Sequence, residues 1–363
     1  MKKRLSLLFI NFAIVSSLLV GLELSGQIAF YVMKGRFVFQ DEQVLSQQQA
    51  FELHPYLVGR LKRDVVLQKQ GKTIRATAQG TRWTGAPEQG DNLIRIAVLG
   101  GSTTFGTGVS DEESWPAQLQ AKLGDGYKVI NYGIPAFSTA EAIIQMALVV
   151  PESQPHVVVL LQGWNDIHNY HEPDLGVDYY AHGMRVYDNL VIPRAKLSTF
   201  DNFKNISAIA RFIHILGLRF WPNMQEKNVQ SAPDPFVDRI YVRNLSTLKA
   251  LSQHMGAYAL FVPQMLNDAH FLQHDGAYDW TRHIESRAMP ALMKRFNGLM
   301  HQVCPARTQE CDYVTAIAQQ TWLESDFVDY GHFSQQGGDK FSSIIAADIR
   351  SKIQNGMIKN LQN

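Results

Sequence analysis

The chain has 363 residues, of which 45% are hydrophobic and 18% charged, and its formal net charge at pH 7 is +1. This composition is typical of a globular protein with a large core, and it excludes a mainly disordered chain. The small net charge gives no electrostatic support for nucleic acid as a partner.

The first 34 residues predict a membrane anchor. Three basic residues at positions 2–4 precede a mostly apolar run over 5–33, which is long enough to cross a bilayer. We expect residues 1–34 to form an uncleaved signal anchor, because no Ala-x-Ala cleavage pattern follows Leu22 and the apolar run is long for a signal peptide. A cleaved signal peptide is the alternative. Glu23 would lie toward the outer interface, where a charge costs less than at the midplane.

The basic start also predicts the orientation of the anchor. Basic residues before an apolar span stay in the cytoplasm, so everything after Lys34 is expected outside. In a bacterium this is the periplasmic face of the inner membrane, reached by a single pass. That space is oxidising, so a disulfide bond is expected between Cys304 and Cys311, the only cysteines of the chain. Two cysteines are too few for a zinc site built of cysteines.

Residues 35–91 are expected to connect the anchor to the main domain. The Gln-rich piece at 40–49 is typical of a polar stalk. Short edge strands are predicted at 65–67 and 73–77, where β-branched residues alternate with polar ones. We assign the region a packing role.

Strand and helix patterns alternate over residues 92–363, which predicts a parallel sheet with helices on both faces. Strands are predicted at 94–99, 127–132, 156–161 and 257–262, with a fifth at 313–317. Helices are predicted at 115–123, 138–149, 237–254, 281–302 and 335–353. The segment at about 167–235 is long for a strand-to-helix connection, and we interpret it as an insertion.

The insertion contains one apolar helical pattern. In the predicted helix at 205–221, the residues on one face are Ile206, Ile209, Ile213, Leu216 and Phe220. Core packing or a lid is the default expectation. A membrane-surface helix, with Arg211 and Arg219 near lipid headgroups, is the alternative. Other residues of the insertion could line a sugar groove or pack over the rim of the sheet; these are Tyr170, Asp178, Tyr179, Tyr180 and Tyr187.

Unusual residues follow the predicted strands. The first strand runs into Gly-Gly-Ser-Thr at 100–103, where two glycines allow a sharp turn that presents Ser102. The second is followed by Gly133, the third by Gly-Trp-Asn-Asp at 163–166, and Asp-Tyr-Gly-His stands at 329–332. The carboxyl ends of parallel strands meet at one edge of a sheet, so these residues are expected to converge there.

These four blocks resemble, in composition, order and placement, those of the SGNH or GDSL hydrolases, over about residues 94–353. The resemblance implies a flavodoxin-like three-layer α/β/α fold. It implies Ser102 as nucleophile, His332 as general base and Asp329 as the acid that orients the histidine. It further implies an oxyanion hole made by the backbone amides of Ser102 and Gly133 and the side chain of Asn165.

The chemistry of these residue types agrees with those roles. A serine hydroxyl is a poor nucleophile until a neighbouring base takes its proton. Asp329, three residues before His332, can accept from the ring Nδ1–H and hold Nε2 toward Ser102. One position departs from the family pattern, because the aspartate usual before the nucleophile is Gly101 here. That departure puts the local loop geometry in doubt more than the catalysis.

We therefore expect an extracytoplasmic serine ester hydrolase or acyl-transfer enzyme, including an O-acetyltransferase, that acts on acetyl or short acyl esters of cell-surface glycans. It would need no cofactor. A lipid esterase or thioesterase at the membrane surface is one alternative, and a non-catalytic glycan-binding or assembly protein is another.

Two further patterns compete with this interpretation. The titratable residues spaced as in a metal site are Asp166, His168, His171, Glu172 and His182. We interpret them as a solvated loop, and no metal site is expected. Ser138 could be a rival nucleophile, but its position at the start of a predicted helix favours an N-cap.

Overall fold

The computed structural model describes residues 2–40, 50–178, 206–220, 229–278, 281–305 and 308–358, except positions 53, 58, 70, 89, 91 and 174. The predicted stalk at 41–49 lies outside these residues, as do Tyr179, Tyr180, His182 and Tyr187. The chain forms two compact units, one of residues 1–49 with 192–226 and one of residues 50–191 with 227–363.

The first unit is built on two helices. The anchor helix runs over Lys2–Lys34, and its Phe9–Lys34 part is long and apolar enough to cross a membrane. A single turn follows at Val38–Gln40. The insertion helix runs over Ala208–Phe220 and packs against the anchor helix.

The second unit begins with two antiparallel pairs of short strands. The first pair is β1 (Phe51–Glu52) with β2 (Arg60–Leu61), and the second is β3 (Val66–Lys69) with β4 (Lys72–Arg75). The predicted edge strands thus occur, with bounds shifted by one or two residues. Phe51 and Leu61 form a small apolar cluster with Phe105, which belongs to the loop after the first central strand.

A five-stranded parallel sheet forms the centre of the second unit. Its strands are β5 (Ile94–Gly100), β6 (Tyr127–Asn131), β7 (Val157–Leu161), β8 (Tyr258–Val262) and β9 (Cys311–Tyr313). They lie in the order β6-β5-β7-β8-β9, the flavodoxin-like order. The register pairs Gly100 with Leu161 and Leu161 with Val262, so three strands end at the same level.

Helices cover both faces of this sheet, because its strands are apolar on both sides. One face packs against Thr139–Leu148, Pro235–His254 and Met289–Val303. The other packs against Trp115–Leu123 and Gln335–Gln354. The predicted three-layer α/β/α arrangement is confirmed.

Two predicted elements have different bounds. The fifth strand ends at Tyr313, and the residues expected to continue it form a helical turn at Thr315–Ala318. The buried side chains of Val314 and Ile317 mimic a strand pattern there. The helix expected from residue 281 begins at Met289, with Pro290 in its first turn, a position that proline favours.

A disulfide bond joins Cys304, just after the helix Met289–Val303, to Cys311 at the start of β9. The two Cα atoms are 6.1 Å apart, and both residues are fully buried. The bond therefore closes a short loop against the edge of the sheet.

Candidate active site

Ser102 lies immediately beyond the end of β5. It is the first residue of the helical turn Ser102–Phe105, which follows Gly101. Glycine at position 101 is not required for a positive φ, because φ is −85°. It is required for close backbone approach, as glycine permits, because a Cβ at Gly101 would come within 2.2 Å of Asn165 Nδ2. An aspartate here, as is usual in the family, would therefore displace Asn165.

Three side chains from distant parts of the chain form a continuous hydrogen-bonded line. His332 Nε2 lies 2.7 Å from Ser102 Oγ, across 230 positions of sequence. On the other side of the ring, His332 Nδ1 lies 2.7 Å from Asp329 Oδ2. Thr103 Oγ1 also donates to the Gly331 carbonyl at 3.2 Å, which ties the serine loop to the histidine loop. The structure therefore brings all three expected residues together.

Asp329 is held in place as an acceptor. Its Oδ1 accepts from the backbone N–H groups of Gly331 and His332, each at 2.9 Å. Burial alone would raise the pKa of the Asp329 carboxyl, but the bond and charge attraction from His332, with the two N–H donors, hold that pKa below its ordinary value. The group therefore stays ionised beside the imidazole.

Two of the expected oxyanion donors, Asn165 and Gly133, differ in their hydrogen bonds. Asn165 is buried and its Nδ2 donates to the Phe137 carbonyl at 2.7 Å, which orients the amide at the wall of the pocket beside Ser102. The Gly133 N–H instead donates to Asn131 Oδ1 at 2.9 Å. A Cβ at Gly133 would come within 2.5 Å of Phe105 N, so this glycine serves close packing. The structure thus differs from the expectation for Gly133.

A residue that sequence reasoning missed stands on the same loop. Ala136 has φ of 66°, a left-handed conformation that is uncommon for a residue with a side chain. Such strained residues cluster at active sites. Ala136 directly precedes Phe137, whose carbonyl accepts a hydrogen bond from the Asn165 side chain.

A small, partly open pocket lies beside Ser102. Its lining residues are Gly101, Ser102, Thr103, Phe137, Leu161, Gln162, Gly163, Trp164, Asn165 and Gln264. Gln162 is only 3% exposed, and its Nε2 has no hydrogen-bond partner among the described residues. A buried donor without a partner is costly, which suits a position where a ligand supplies the acceptor.

An aromatic wall adjoins the pocket, and no sequence pattern indicated it. Tyr330 stacks on Trp164 with ring centroids 5.4 Å apart, and Trp164 lines the pocket. Tyr278 lies 6.0 Å from Tyr330 and stacks on His270. The sequence could not indicate this wall because its residues come from three separate segments of the chain, at 164, 270–278 and 330.

Two carboxyl groups are buried behind the pocket wall. Burial raises the pKa of Glu141 to about 7, although hydrogen bonds from Ser138 oppose the shift. Burial likewise raises the pKa of Asp166 to about 6, against hydrogen bonds from Thr139. Ser138 accepts from Ala140 N–H and forms a capping box with Glu141, so its predicted role as an N-cap is confirmed.

The residues considered for a metal site are separated, and two of them, Asp166 and His168, are buried rather than part of a solvated loop as expected. Asp166 accepts from Thr139, and His171 Nε2 lies 2.9 Å from the Ala232 carbonyl. Glu172 lies 3.7 Å from His283. Across the described ranges, no three histidine, cysteine or acidic side chains converge as metal ligands.

The chain is similar to several known proteins. A stretch of 52 residues is 44% identical to an acetylxylan esterase of Xylanibacter ruminicola, and it covers 14% of this chain and 11% of that protein. A psychrotrophic esterase from Pseudoalteromonas sp. shares 15% identity over 73% of this chain and 100% of its own, with a TM-score of 0.37. A GDSL-like lipase from Bacteroides thetaiotaomicron shares 12% identity over 74% and 92%, with a TM-score of 0.38. Structural likeness at these scores carries no argument about function.

The family assignment depends on the sequence of the second unit. The model of the GDSL-like lipase/acylhydrolase family matches residues 98–340. The matched range is more than half of the chain, and it includes Ser102, Asn165 and His332. The chain belongs to the GDSL-like lipase/acylhydrolase family.

Proposed function

We propose that this protein is a membrane-anchored, extracytoplasmic serine esterase or acyl-transfer enzyme that acts on acetyl or other short acyl esters of cell-surface glycans. The observation that carries the proposal is the hydrogen-bonded line from Ser102 through His332 to Asp329, with 2.7 Å at each of its two steps. Such a line makes a serine hydroxyl nucleophilic without a metal or cofactor.

In the proposed reaction, Ser102 Oγ attacks the ester carbonyl while its proton passes to His332 Nε2. Asp329 stabilises the imidazolium through Nδ1. The negative charge on the carbonyl oxygen is met by the Ser102 backbone N–H and the Asn165 side chain. The imidazolium then protonates the departing alcohol, which leaves an acyl group on Ser102. Water completes hydrolysis, and a second hydroxyl compound completes acyl transfer.

The walls of the pocket support a polar ester of a sugar. Gln162 offers a buried N–H donor that a sugar hydroxyl or ring oxygen can satisfy, and the half-buried ring of Tyr330 beside Trp164 offers a flat surface for a sugar. The pocket beside Ser102 is small, which suits a short acyl group better than a long chain. The acetylxylan esterase resemblance, though confined to 52 residues, agrees with an acetylated glycan.

A lipid esterase or thioesterase at the membrane surface is the second candidate, because the chain carries an apolar helix long enough to span a bilayer. If the protein were a non-catalytic glycan-binding protein, Ser102 would not react although it is hydrogen-bonded to His332.

Incubation of the purified protein with a fluorophosphonate probe distinguishes this non-catalytic case from the two enzymatic ones. We expect the wild type to be labelled and Ser102→Ala to remain unlabelled, and an unlabelled wild type would contradict the serine mechanism.

Product analysis then separates the two enzymatic candidates. Released acetate from acetylated polysaccharide, with little release from long-chain acyl esters, is the expected result. The reverse preference would favour the lipid esterase. Activity should survive a chelator, since the proposed mechanism uses no Lewis acid; loss of activity that zinc restores would overturn this point.

The proposed location has its own test. A phosphatase fused after residue 60 should be active in the periplasm, and the intact protein should stay in the membrane fraction after an alkaline wash. A protein that becomes soluble after shortening at its N-terminus would instead indicate cleavage of the apolar segment. The Cys304–Cys311 bond agrees with an oxidising compartment.

A further inference from the structure

Glu23 is an acidic residue within the apolar anchor helix, and the first unit explains its presence. Its Oε1 accepts from the Ala208 N–H at 2.8 Å, and its Oε2 accepts from Ser207 Oγ at 2.7 Å and from the Ile209 N–H at 3.2 Å. These donors stand at the start of the insertion helix, where backbone N–H groups have no partner within the helix. A carboxylate at a helix N-terminus is also favoured by the helix dipole. Glu23 therefore caps the insertion helix.

Gln27 strengthens the same junction from the next turn of the anchor helix. Its Nε2 donates to Glu23 Oε1 at 2.7 Å and to the Ile206 carbonyl at 2.9 Å, and its Oε1 accepts from the Val38 N–H at 2.9 Å. Gln27 therefore fixes both the segment that follows the anchor helix, at Val38, and the segment that precedes the insertion helix, at Ile206.

The two helices approach closely along small residues. A Cβ at Gly26 would come within 2.8 Å of Ala208 Cβ, so only glycine permits this contact. Further along, the Arg211 guanidinium lies 4.9 Å from the centroid of the Phe30 ring. The contacts advance in the same direction on both helices, from Glu23 at Ser207 to Phe30 at Arg211. The insertion helix therefore runs outward beside the anchor helix.

The apolar face of the insertion helix is not the face that contacts the anchor helix. Ser207, Ala208 and Ala210 are buried. In contrast, Ile206, Phe212 and Ile213 are 57%, 61% and 54% exposed. These values match those of lipid-facing candidates on the anchor helix, such as Leu18 at 62%. The default expectation of core packing is therefore not met for Ile206 and Ile213.

We propose that the insertion helix is a second membrane-contacting element, which Glu23 holds beside the anchor helix so that Ile206, Phe212 and Ile213 enter the acyl-chain region of a lipid bilayer. The proposal rests on the proposed membrane anchoring. Lipid is the occupant because this apolar face lies on a helix that packs beside another helix, and that other helix is itself long and apolar enough to cross a membrane.

The depth of the junction agrees with this proposal. Glu23 stands 11 residues before Lys34, about 16 Å along the helix axis, so the insertion helix begins well below the outer end of the anchor helix. At that depth both a carboxylate and an uncapped helix end are costly. The two groups satisfy each other, so each lowers the cost of placing the other there.

The test places a fluorescent label at single cysteines in the full-length protein, reconstituted in nanodiscs of phosphatidylethanolamine and phosphatidylglycerol. Native Cys304 and Cys311 are joined and do not take a thiol label. The labelled variants are Ile213→Cys and Phe212→Cys, with Leu18→Cys as the positive control. Ser246→Cys, on the exposed face of a helix in the second unit, is the matched negative control. The readout is quenching by lipids brominated on their acyl chains.

We expect quenching at Ile213→Cys and Phe212→Cys comparable to that at Leu18→Cys, and several-fold stronger than at Ser246→Cys. Weak quenching by lipid together with shielding from iodide would mean that protein, such as a second copy of the chain, covers the face. Weak lipid quenching with full access to iodide would mean that it lies in water. Either result overturns the proposal. A Leu18→Cys label that lipid does not quench would instead refute the anchor itself, so the two failures are distinguishable.

The role of Glu23 is tested in the same system. Glu23→Ala removes the carboxylate that accepts from Ser207, Ala208 and Ile209 at the start of the insertion helix. Quenching at Ile213→Cys should therefore fall several-fold, while quenching at Leu18→Cys stays unchanged. Glu23→Gln keeps one acceptor oxygen and should recover part of the signal. Unchanged quenching at Ile213→Cys in the Glu23→Ala background would show that Glu23 does not seat the helix.

Discussion

Replacing Asp329 by asparagine changes the proton position on His332 and little else. The oxygen of the introduced amide can still accept from the Gly331 and His332 N–H groups, as Asp329 Oδ1 does at 2.9 Å. The amide nitrogen then occupies the place of Oδ2, 2.7 Å from His332 Nδ1. Because two N–H groups cannot face each other, Nδ1 must become the acceptor and Nε2 must carry the proton. A protonated Nε2 cannot accept the proton of Ser102.

We expect kcat of Asp329→Asn to fall by roughly a thousand- to ten-thousandfold, equivalent to about 4–5.5 kcal/mol of transition-state stabilisation. KM should change little, since the carboxylate does not line the pocket. The assay is steady-state hydrolysis of p-nitrophenyl acetate, with a thermal melt of each variant. Asp329→Ala is the matched control, because it also removes the acceptor of two backbone N–H groups and should lower the melting temperature as well.

A variant Asp329→Asn that folds normally and keeps kcat within about tenfold of wild type would refute the reasoning. In that case His332 would not depend on Asp329 for its tautomer, and another group would have to orient the ring. If the melting temperature falls as far for Asp329→Asn as for Asp329→Ala, the asparagine does not accept the hydrogen bonds from the Gly331 and His332 N–H groups. The loss of kcat would then reflect lower stability rather than the tautomer of His332.

Three further predictions concern the pocket, the buried acid and the disulfide. Gln162→Leu should lower kcat/KM for an acetylated xylo-oligosaccharide by about tenfold or more, the value of a buried hydrogen bond, and should leave p-nitrophenyl acetate nearly unaffected; equal effects on both would refute a sugar contact. Because the folded protein binds the Glu141 proton more tightly than the unfolded chain does, the free energy of unfolding should fall as pH rises from 4.5 through about 7, by roughly 3 kcal/mol at about 1.4 kcal/mol per pH unit. In urea unfolding measured across this pH range, Glu141→Gln should make the midpoint depend less on pH, and an equally steep dependence would contradict the assignment. Cys304→Ser with Cys311→Ser should cost roughly 2–3 kcal/mol of stability, and rapid alkylation of the unreduced wild type would contradict the bond.

The line of Ser102, His332 and Asp329 could be anticipated from the sequence because each residue follows a recognisable signal. A buried apolar run ends in Gly-Gly-Ser, and Asp329 stands three residues before His332. Strand ends in a parallel sheet share one edge, which explains why Ser102 and Asn165 lie close together. Asp329 and His332 do not follow a strand, and their partnership with Ser102 was implied by the resemblance to the SGNH or GDSL hydrolases. The same reasoning correctly made Ser138 a cap rather than a nucleophile.

Three features of the structure could not be anticipated from the sequence, because each depends on which groups meet in the folded protein. The Gly133 amide was expected to serve an oxyanion, but Asn131, two residues earlier, accepts its N–H in the folded protein. The partnership of Glu23 with Ser207 joins positions 184 residues apart, and no local pattern predicts it. The strand expected at 313–317 was misplaced, since Val314 and Ile317 are buried in a helical turn just as they would be in a strand.

The buried guanidinium of Arg82 has a practical consequence for the second unit. Arg82 precedes the central sheet in sequence, yet its Nη1 donates to the Phe105 and Gly106 carbonyls at 2.6 Å, and its Nε donates to Asp111 Oδ1 at 2.9 Å. The loop that follows Ser102 is thus braced by a residue outside the alternating strand and helix pattern. A soluble catalytic fragment that starts at residue 92 would lack this brace and leave four backbone and side-chain acceptors of that loop, including Val109 O, without their buried donor. A fragment that starts near Ala50 would keep Arg82 and its hydrogen bonds to the loop that follows Ser102.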